Sequence, residues 1–391
     1  MTQYQGILNL PGYEVLSAQG HNPVCIQARF IGRISCPHCQ STTLRSKDRY
    51  WRRLHHESIG LRRCYLELEG RKYQCLDCGR YFHQRFPGVL PYRRSTEGFR
   101  REVFEQHREG ICQSRLAQRN GIGSATVERW FHDYLQRKVA ELKAAVCPRQ
   151  LGIDEQFFSR KHGYATTFCD LHKHRVYDVV LGRSQAALER YLEGLPERRK
   201  VQLVCMDLAS SYRALVKKCL PQARIVADRF HVIRLVNHHF LALWRQVDPA
   251  AAKNRGLLSL VRRHSWHLRP EQQQRLQTYW ATQPVLALVY EFKQKLVRLL
   301  LIKHRKKRQC PRLIRIFLHY IDQLRASAFE SLSTLGDTLW SWREEIACMW
   351  RFTRSNGITE GLHTKMEMIK RRAFGFKNFE NYRLRVKALC A

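Results

Sequence analysis

The chain has 391 residues and a formal net charge of +36, because 69 lysines and arginines stand against 33 aspartates and glutamates. With 44% hydrophobic and 11% aromatic residues, its composition is that of a folded protein and excludes a disordered basic tail. The length predicts two to four domains, and the charge predicts a polyanionic partner, of which nucleic acid is the first choice.

A membrane surface is the other polyanion to consider. No run of about 18 apolar residues occurs, and the first residues lack the apolar core of a signal peptide. We therefore expect a cytoplasmic, nucleoid-associated protein without a membrane partner. Most of the 14 cysteines stand singly in apolar or helical segments, as Cys169, Cys205 and Cys348 do, which is typical of reduced thiols.

Four cysteines near the N-terminus differ from the others, because their spacing is that of metal ligands. They form two Cys-x2-Cys pairs, Cys36 with Cys39 and Cys75 with Cys78. Each such turn directs two thiolates at one tetrahedral ion, so the pairs predict a zinc ribbon with one structural Zn²⁺. Unmetallated thiols are the alternative interpretation.

The chain between the two pairs is longer than in most zinc ribbons. We therefore expect either a longer hairpin or an excursion through residues 52–60. Alternation around Glu69 and Gly70 predicts a hairpin turn there. Four further residues are able to replace one cysteine ligand: His38, His55, His56 and Cys64.

Apolar residues recur at helical spacing from residue 96 to about residue 145. The centre of this stretch has the pattern of a helix-turn-helix: Ala117 is small where two helices cross, Gly121 turns, and Ser124 caps the second helix. An ordinary helical hairpin is the alternative, and the surrounding positive charge favours DNA binding.

A DNA-binding helix-turn-helix places its second helix in the major groove. On this prediction Ala125, Thr126 and Arg129 face the bases. Arg115 and Arg119 are then placed to contact phosphates. The expected partner is double-stranded DNA.

Short apolar segments follow from residue 150 onwards, with two helical segments between the later ones. The predicted strands are 151–158, 164–169, 176–181, 201–206 and 224–227, and the predicted helices are 185–195 and 210–219. The order βββαβαβ predicts a mixed α/β sheet. From about residue 232 to residue 354 the pattern is helical and includes the basic run Lys303–Arg308, so we interpret it as a helical insertion.

Two aspartates follow apolar strand segments. Asp154 closes the segment that begins at Leu151, and Asp207 closes the segment that begins at Val201. A carboxylate at the end of a buried strand is costly unless it is paired or binds a metal. Two Mg²⁺ ions held by carboxylates are the usual means of phosphodiester cleavage, so the pair predicts such a site. A helix cap is the alternative for Asp207.

A third acid, Glu360, begins a predicted helix that Asn356 or Thr359 caps and Gly375 ends. His363, Thr364 and Glu367 follow on the same face. Two cations also share this face and are placed to meet DNA phosphates: Lys370 and Arg371. Taken alone, the helix is equally consistent with a solvated charged surface.

These segments resemble bacterial insertion-sequence transposases of the ISL-three family, whose members join a zinc ribbon and a helix-turn-helix to an RNase H-like DDE domain. The most specific segments are 151–155, 206–212, 227–232 and 355–385. The resemblance implies that the catalytic acids are Asp154, Asp207 and Glu360, which hold two Mg²⁺ ions that Mn²⁺ can replace.

Three further positions bear on this resemblance. His363 stands where many relatives have asparagine, and the fine positioning of Glu360 therefore depends on it. Asp228 and His231 resemble a recurring family pair after the fifth strand, with an auxiliary role. A helix cap with a packed histidine is the alternative for that pair.

The resemblance also implies a domain order and a function. We expect an N-terminal segment and zinc ribbon at 1–92, a helix-turn-helix at 93–146, and an RNase H-like catalytic domain at 147–391 with an insertion at about 235–352. Such a protein binds terminal inverted repeats, cleaves there with Mg²⁺ and transfers DNA strands, as a homodimer or a higher oligomer. A non-catalytic DNA-binding regulator and a nuclease without strand transfer remain the alternatives.

Overall fold

The computed structural model describes residues 8–143, 146–303, 307–352 and 357–391. The chain divides into two compact units, Met1–Lys138 and Val139–Ala391. Part of the basic run Lys303–Arg308 and the predicted cap Asn356 lie outside the described residues. Within the described ranges, no helix is long and apolar enough to cross a membrane.

The first unit begins with a five-stranded sheet. Its strands are β1 (Tyr13–Gln19), β2 (Val24–Phe30), β3 (Leu44–Ile59), β4 (Arg62–Cys75) and β5 (Tyr81–His83). The order is β1-β2-β4-β3, with β5 on β4, and the β2–β4 pair alone is parallel among the described pairings of this sheet. The hairpin β1–β2 was not predicted. It buries alternate apolar residues such as Ile26 and Ala28 against Leu66 and Leu68.

The longer hairpin expected between the cysteine pairs is confirmed, but the predicted turn at Glu69 and Gly70 is wrong. Strands β3 and β4 turn at Gly60, whose φ is +65°. Gly70 lies within β4, where a Cβ atom would come within 2.6 Å of the Tyr50 ring. This glycine permits close packing and does not make a turn.

Three helices follow this sheet in the chain: α1 (Glu97–Arg108), α2 (Gln113–Asn120) and α3 (Ser124–Lys143). Gly121 ends α2 in the left-handed conformation, as the pattern predicted. The predicted cap at Ser124 is wrong, because the carbonyl of Gly123 accepts from the N–H of Val127 and Ser124 is the first helical residue. Val127 and Trp130 pack inward in a small core with Phe99.

The sheet and the three helices contact each other within this unit. The Arg63 guanidinium donates to the carbonyl oxygens of Arg119 at 2.6 Å and Gln118 at 2.8 Å, near the end of α2. The His55 ring stacks on Phe99 with centroids 4.3 Å apart. A cation at the C-terminus of α2 satisfies carbonyls that the helix leaves without partners.

The second unit contains the sheet predicted from the apolar segments. Its strands are β6 (Gln150–Ser159), β7 (Gly163–Asp170), β8 (Arg175–Leu181), β9 (Leu203–Met206) and β10 (Arg224–Ala227). Helices α4 (Gln185–Glu193) and α5 (Ser210–Cys219) connect the later strands, so the order βββαβαβ is confirmed. The strand order is β10-β9-β6-β7-β8, in which β6, β9 and β10 are parallel and β6, β7 and β8 are antiparallel.

The rest of the chain is helical, as the pattern predicted. The helices are α6 (Arg229–Val247), α7 (Pro249–Lys253), α8 (Arg255–Arg262), α9 (Pro270–Thr282), α10 (Pro284–Leu301), α11 (Cys310–Arg325), α12 (Glu330–Ser341), α13 (Arg343–Phe352), α14 (Gly357–Arg372) and α15 (Phe379–Leu389). A proline begins α7, α9 and α10, where its missing N–H has no helical partner to lose. Trp244 centres a separate core among α6 to α10, whereas α11 to α15 share the core of the sheet.

Candidate functional site

The four predicted zinc ligands meet at one point in the first unit. The sulfur atoms of Cys36 and Cys78 are 3.7 Å apart, and those of Cys39 and Cys75 are 3.5 Å apart. All four sulfur atoms lie within 4.8 Å of one another. A tetrahedral zinc with Zn–S bonds of about 2.3 Å requires sulfur atoms about 3.8 Å apart, so the cluster fits one structural Zn²⁺.

Both pairs of cysteines stand on the same kind of turn. The N–H of Gln40 donates to the carbonyl of Cys36, and the N–H of Gly79 donates to the carbonyl of Cys75. Gln40 and Gly79 each follow the second cysteine of a pair, and both are left-handed, with φ of +62° and +72°. Although burial raises it, backbone hydrogen bonds from His38 and Cys39 lower the pKa of the Cys36 thiol to about 7, which favours the thiolate form.

The predicted acids come together at one edge of the sheet in the second unit. Asp207 directly follows β9, and Asp228 directly follows β10. Asp154 does not end its strand as predicted, because β6 continues to Ser159; it lies two residues beyond Gly152, which pairs with Cys205 of β9. Carboxyl ends of parallel strands share one edge, and this register brings the three aspartates there.

His231 joins two of these aspartates. Its Nδ1 atom lies 2.7 Å from Oδ2 of Asp228 and 2.8 Å from Oδ1 of Asp207. Although burial lowers it, hydrogen bonds to Asp207 and Asp228 raise the pKa of His231 to about 10. The side chain of Asp228 therefore binds His231 and does not cap α6, and Asp207 does not cap α5, whose cap residue is Ala209.

The aspartate cluster is short of positive charge. The single Nδ1–H of His231 lies between Oδ2 of Asp228 and Oδ1 of Asp207, so two carboxylates share one donor. Burial, together with the neighbouring charge of Asp207, raises the pKa of Asp154 to about 7. A divalent cation ligated by Asp154 and Asp207 would supply positive charge and relieve the repulsion between the two carboxylates, so these residues fit a metal such as Mg²⁺.

Helix α14 runs along β6, and its His363 and Glu367 side chains contact the sheet. His363 Nδ1 lies 3.6 Å from Oδ2 of Asp154, and His363 Nε2 lies 3.1 Å from the Thr167 hydroxyl. One turn later, Glu367 accepts from the Gln156 amide at 2.8 Å. Burial lowers the pKa of His363 to about 4, so its ring is neutral at pH 7. His363 therefore places a neutral imidazole beside Asp154.

Glu360, the third predicted acid, is exposed in the first turn of α14. Within the described residues, no hydrogen bond or ion pair joins its carboxylate to Asp154 or Asp207. It precedes His363 by three positions on the same face, and such positions have Cβ atoms about 5–6 Å apart. The buried Thr359 holds this turn against the sheet through Cys169. Glu360 therefore lies one helical turn before His363, the residue that contacts Asp154.

The predicted DNA-binding residues differ in exposure. Ala125, Arg129 and Arg115 are exposed, whereas Thr126 and Arg119 are half-buried. Arg371 is exposed as well, but Lys370 is held in the fold. Its ammonium donates to the carbonyl of Phe157 at 2.7 Å and pairs with Glu367. Sequence periodicity places Lys370 and Arg371 side by side and cannot tell which of them packs on the sheet.

Two family models match this chain. One, described as a transposase, matches residues 151–386, and the other, described as the zinc-finger of transposase IS204/IS1001/IS1096/IS1165, matches residues 32–78. The chain is also 25% identical over 374 residues to the transposase for insertion sequence element IS1001 of Bordetella parapertussis, across 90% of this chain and 88% of that protein. The first matched range contains the aspartate cluster, and the second contains the four cysteines.

Proposed function

The chain belongs to the ISL-three family of transposases, and on that premise we propose that it is a DDE enzyme that cleaves and joins DNA at the ends of an insertion sequence. It binds the terminal inverted repeats, cleaves there with water, and joins the freed 3′-hydroxyl to target DNA. The single observation that carries the proposal is the meeting of Asp154, Asp207 and Asp228 at one sheet edge, where the charge of Asp207 helps to raise the pKa of the buried Asp154.

The carboxylates are assigned to a pair of metal ions. Asp154, Asp207 and Glu360 would ligate two Mg²⁺ ions, which, when bound, activate the attacking oxygen and stabilise the leaving oxygen. Mn²⁺ accepts the same oxygen ligands and substitutes for Mg²⁺. Asp228 and His231 position Asp207, because His231 Nδ1 lies against both carboxylates.

Glu360 completes the ligand set by side-chain movement alone. Its backbone is fixed by Thr359 and by the contact of His363 with Asp154, while its own side chain is exposed and carries no described ion pair. A glutamate held back from two aspartates avoids a third buried negative charge until cations bind. A metal-binding role for Glu360 is therefore compatible with its exposed side chain.

The fold assignment rests on connectivity. A five-stranded sheet with three antiparallel strands followed by two parallel ones, in the order β10-β9-β6-β7-β8, supports an RNase H-like domain for residues 147–391. The helical insertion at about 235–352 then separates Asp228 from Glu360. This arrangement brings the first two acids from the sheet and the third from the helix that follows the insertion.

DNA recognition is assigned to residues 1–146. We assign the zinc ribbon to 1–92 and a helix-turn-helix to 93–146, in which α3 enters the major groove. The exposed side chains of Ala125 and Arg129 support base contacts, with Thr126 beside them. Arg115 and Arg119 are assigned to phosphates, and Arg371 at the end of α14 joins them in the catalytic domain. The carbonyl of Arg119 is held by Arg63, which fixes the backbone of α2 without using the Arg119 guanidinium.

Two experiments separate this function from its alternatives. Purified protein is incubated with Mg²⁺ and DNA that carries the element's own ends, and nicked, excised and joined products are resolved. A regulator binds this DNA and yields no product, whereas a nuclease yields nicked DNA that is never joined to a second duplex. Affinity for end DNA is measured between 50 and 200 mM salt, where contacts with some 6–10 phosphates predict a loss of roughly 10³–10⁵-fold. A flat salt response would contradict phosphate-driven binding.

A further inference from the structure

Helix α14 ends in a way that its sequence did not predict. The N–H of Gly375 donates to the carbonyl of Lys370 at 2.9 Å, and the N–H of Phe374 donates to the carbonyl of Arg371 at 3.0 Å. These two bonds form a Schellman motif, whose left-handed position usually belongs to glycine. Phe374 occupies that position, with φ of +52°, and Gly375, the predicted end of the helix, is the residue after it.

Phe374 is also 93% exposed. A side chain with a Cβ atom is strained at this φ, and an exposed ring recovers nothing by burial. Other aromatic residues of the segment do pack: Phe376 lies 5.3 Å from the Tyr382 ring, and Phe379 lies 5.2 Å from the Phe158 ring. The segment therefore buries its other rings and presents Phe374 to solvent, and retained strain of this kind points to a function.

The surroundings of Phe374 suit a nucleic acid. Arg371, Arg372 and Lys377 are exposed on either side of it. One turn earlier, Lys370 attaches α14 to the end of β6 through the carbonyl of Phe157. The Phe157 ring is 47% exposed at that strand end. Exposed aromatic rings among cations are typical of surfaces that hold phosphates and stack bases.

We propose that Phe374 stacks on a DNA base that leaves the duplex near the element end, an inference that rests on the proposed transposase function. Apolar side chains inserted at a base step unstack it, and the cations beside Phe374 hold the flanking phosphates. Phe374 follows Glu360 by about four helical turns, which is about 20 Å along α14. For DNA that runs parallel to α14, at about 3.4 Å per base pair, this length places the stacked base about six base pairs from the phosphate at Glu360.

The test uses full-length protein and short duplexes that carry the element end. A single 2-aminopurine replaces one base at a time, from the third to the ninth base pair counted from the scissile phosphate. Fluorescence intensity reports unstacking, and anisotropy reports binding. With wild-type protein we expect the intensity to rise at one or two adjacent positions. With Phe374→Ala we expect no rise, and an affinity about 5-fold or more lower, since one base–aromatic stack is lost.

Three further variants separate stacking from a structural role. Phe374→Trp keeps a stacking ring and should retain the fluorescence rise. Phe374→Gly relieves the left-handed strain, so it should raise Tm by roughly 2–4 °C while losing the rise. Leu288→Ala removes an exposed apolar side chain from α10, where Leu288 is 70% exposed, and should leave both signals unchanged.

Each outcome decides between the two proposals. If Phe374→Ala matches wild type at every labelled position, with equal affinity and joining, the stacking role is overturned and the transposase function stands. If Phe374→Ala instead changes only the number of protein copies on DNA, the ring binds a protein surface and the stacking role is again overturned. If wild-type protein neither binds nor joins end DNA, the proposed function fails before any variant is compared.

Discussion

The two candidate metal centres differ in how completely the protein supplies their ligands. The four sulfur atoms lie within 4.8 Å of one another and come from two turns of the same kind. The carboxylates come from separate strands and a helix, and the Glu360 side chain is exposed. A closed set of four thiolates suits a structural ion, whereas an incomplete oxygen site leaves room for a phosphate.

The two centres also differ in how local their construction is. Each cysteine pair is positioned by a single turn, so a few residues of sequence determine half of the site. The aspartates are positioned by the register of β6, β9 and β10, and Glu360 is positioned by a helix that follows α6 to α13 in the chain. Substitutions at the carboxylates should therefore abolish chemistry. Substitutions at the four cysteines should instead impair folding and DNA recognition.

The largest effect is expected from Glu360→Gln. It preserves shape but removes a ligand charge, so joining of pre-cleaved ends should fall by at least about 10³-fold while binding to end DNA persists. The matched control is Glu367→Gln on the same helix face, whose carboxylate is already paired with Gln156 and Lys370. Strand joining is measured on gels alongside anisotropy. Strand joining by Glu360→Gln at the wild-type rate would contradict the assignment of Glu360 as the third acid. Glu367 and Asp228 would then become the candidates.

The next largest effect is expected from Cys75→Ser. Loss of one thiolate should reduce the zinc content from about one ion per chain to nearly none, because a closed site with three ligands binds weakly. Recognition of end DNA should fall by about 100-fold or more, towards the level of non-specific binding.

The second unit should stay folded in Cys75→Ser, because its core is separate. Elemental analysis and circular dichroism measure the two effects, and Cys112→Ser, an exposed cysteine away from the cluster, is the control. A zinc-free wild-type protein that binds end DNA normally would contradict the ribbon assignment.

A smaller effect is expected at the pair that positions Asp207. Asp228→Asn or His231→Gln should reduce metal affinity and strand joining by roughly 10–100-fold, the usual cost of losing an outer partner of a ligand. Mn²⁺ titration followed by electron paramagnetic resonance measures the affinity directly. Glu155→Gln is the control, because Glu155 pairs with Arg183 on the opposite face of β6 from Asp154. Equal Mn²⁺ affinity in all three variants would restrict Asp228 and His231 to packing.

The smallest effect is expected at the two zinc turns. Gly79→Ala adds a Cβ in a left-handed residue with open space around it, so strain alone should destabilise the zinc-loaded first unit by about 1–2 kcal/mol. Gln40→Gly removes the same strain but adds freedom to the unfolded chain, so it should stabilise by up to about 1 kcal/mol. Thermal unfolding with saturating zinc compares the two. Equal Tm values for the two variants would contradict left-handed strain at these turns.

Sequence reasoning was strongest where the determinants are local. The Cys-x2-Cys pairs, the left-handed Gly121 and the apolar runs of the sheet each depend on a few neighbouring residues, and the structure contains them as predicted. Sequence reasoning failed at Gly70, which packs against the Tyr50 ring of the opposite strand. It also failed at Ser124, because the carbonyl of Gly123 begins the helix. A glycine can make a turn or permit close packing within a strand, and the sequence does not distinguish the two roles unless the opposite strand is known.

The candidate site was less accessible to sequence reasoning than the fold. Asp154 and Asp207 stood out as acids near buried strands, but only the register shows that Asp228 and His231 join them. The contact of His363 with Asp154 joins residues far apart in the sequence. Helical periodicity could therefore place His363 on the same face as Glu360 but could not predict the contact. The signal available in sequence was the spacing of Asp228 and His231, which suits a hydrogen bond across the first turn of a helix.

Strand joining with and without divalent metal tests the assignment of the carboxylate site most directly. A duplex with a pre-cleaved element end and a labelled second duplex are incubated with wild-type protein and with Asp207→Asn, in Mg²⁺ and in chelator. We predict joined product only for wild-type protein in Mg²⁺, with both proteins bound to the end DNA. Joined product in chelator, or from Asp207→Asn at the wild-type rate, would contradict metal-dependent chemistry at these carboxylates.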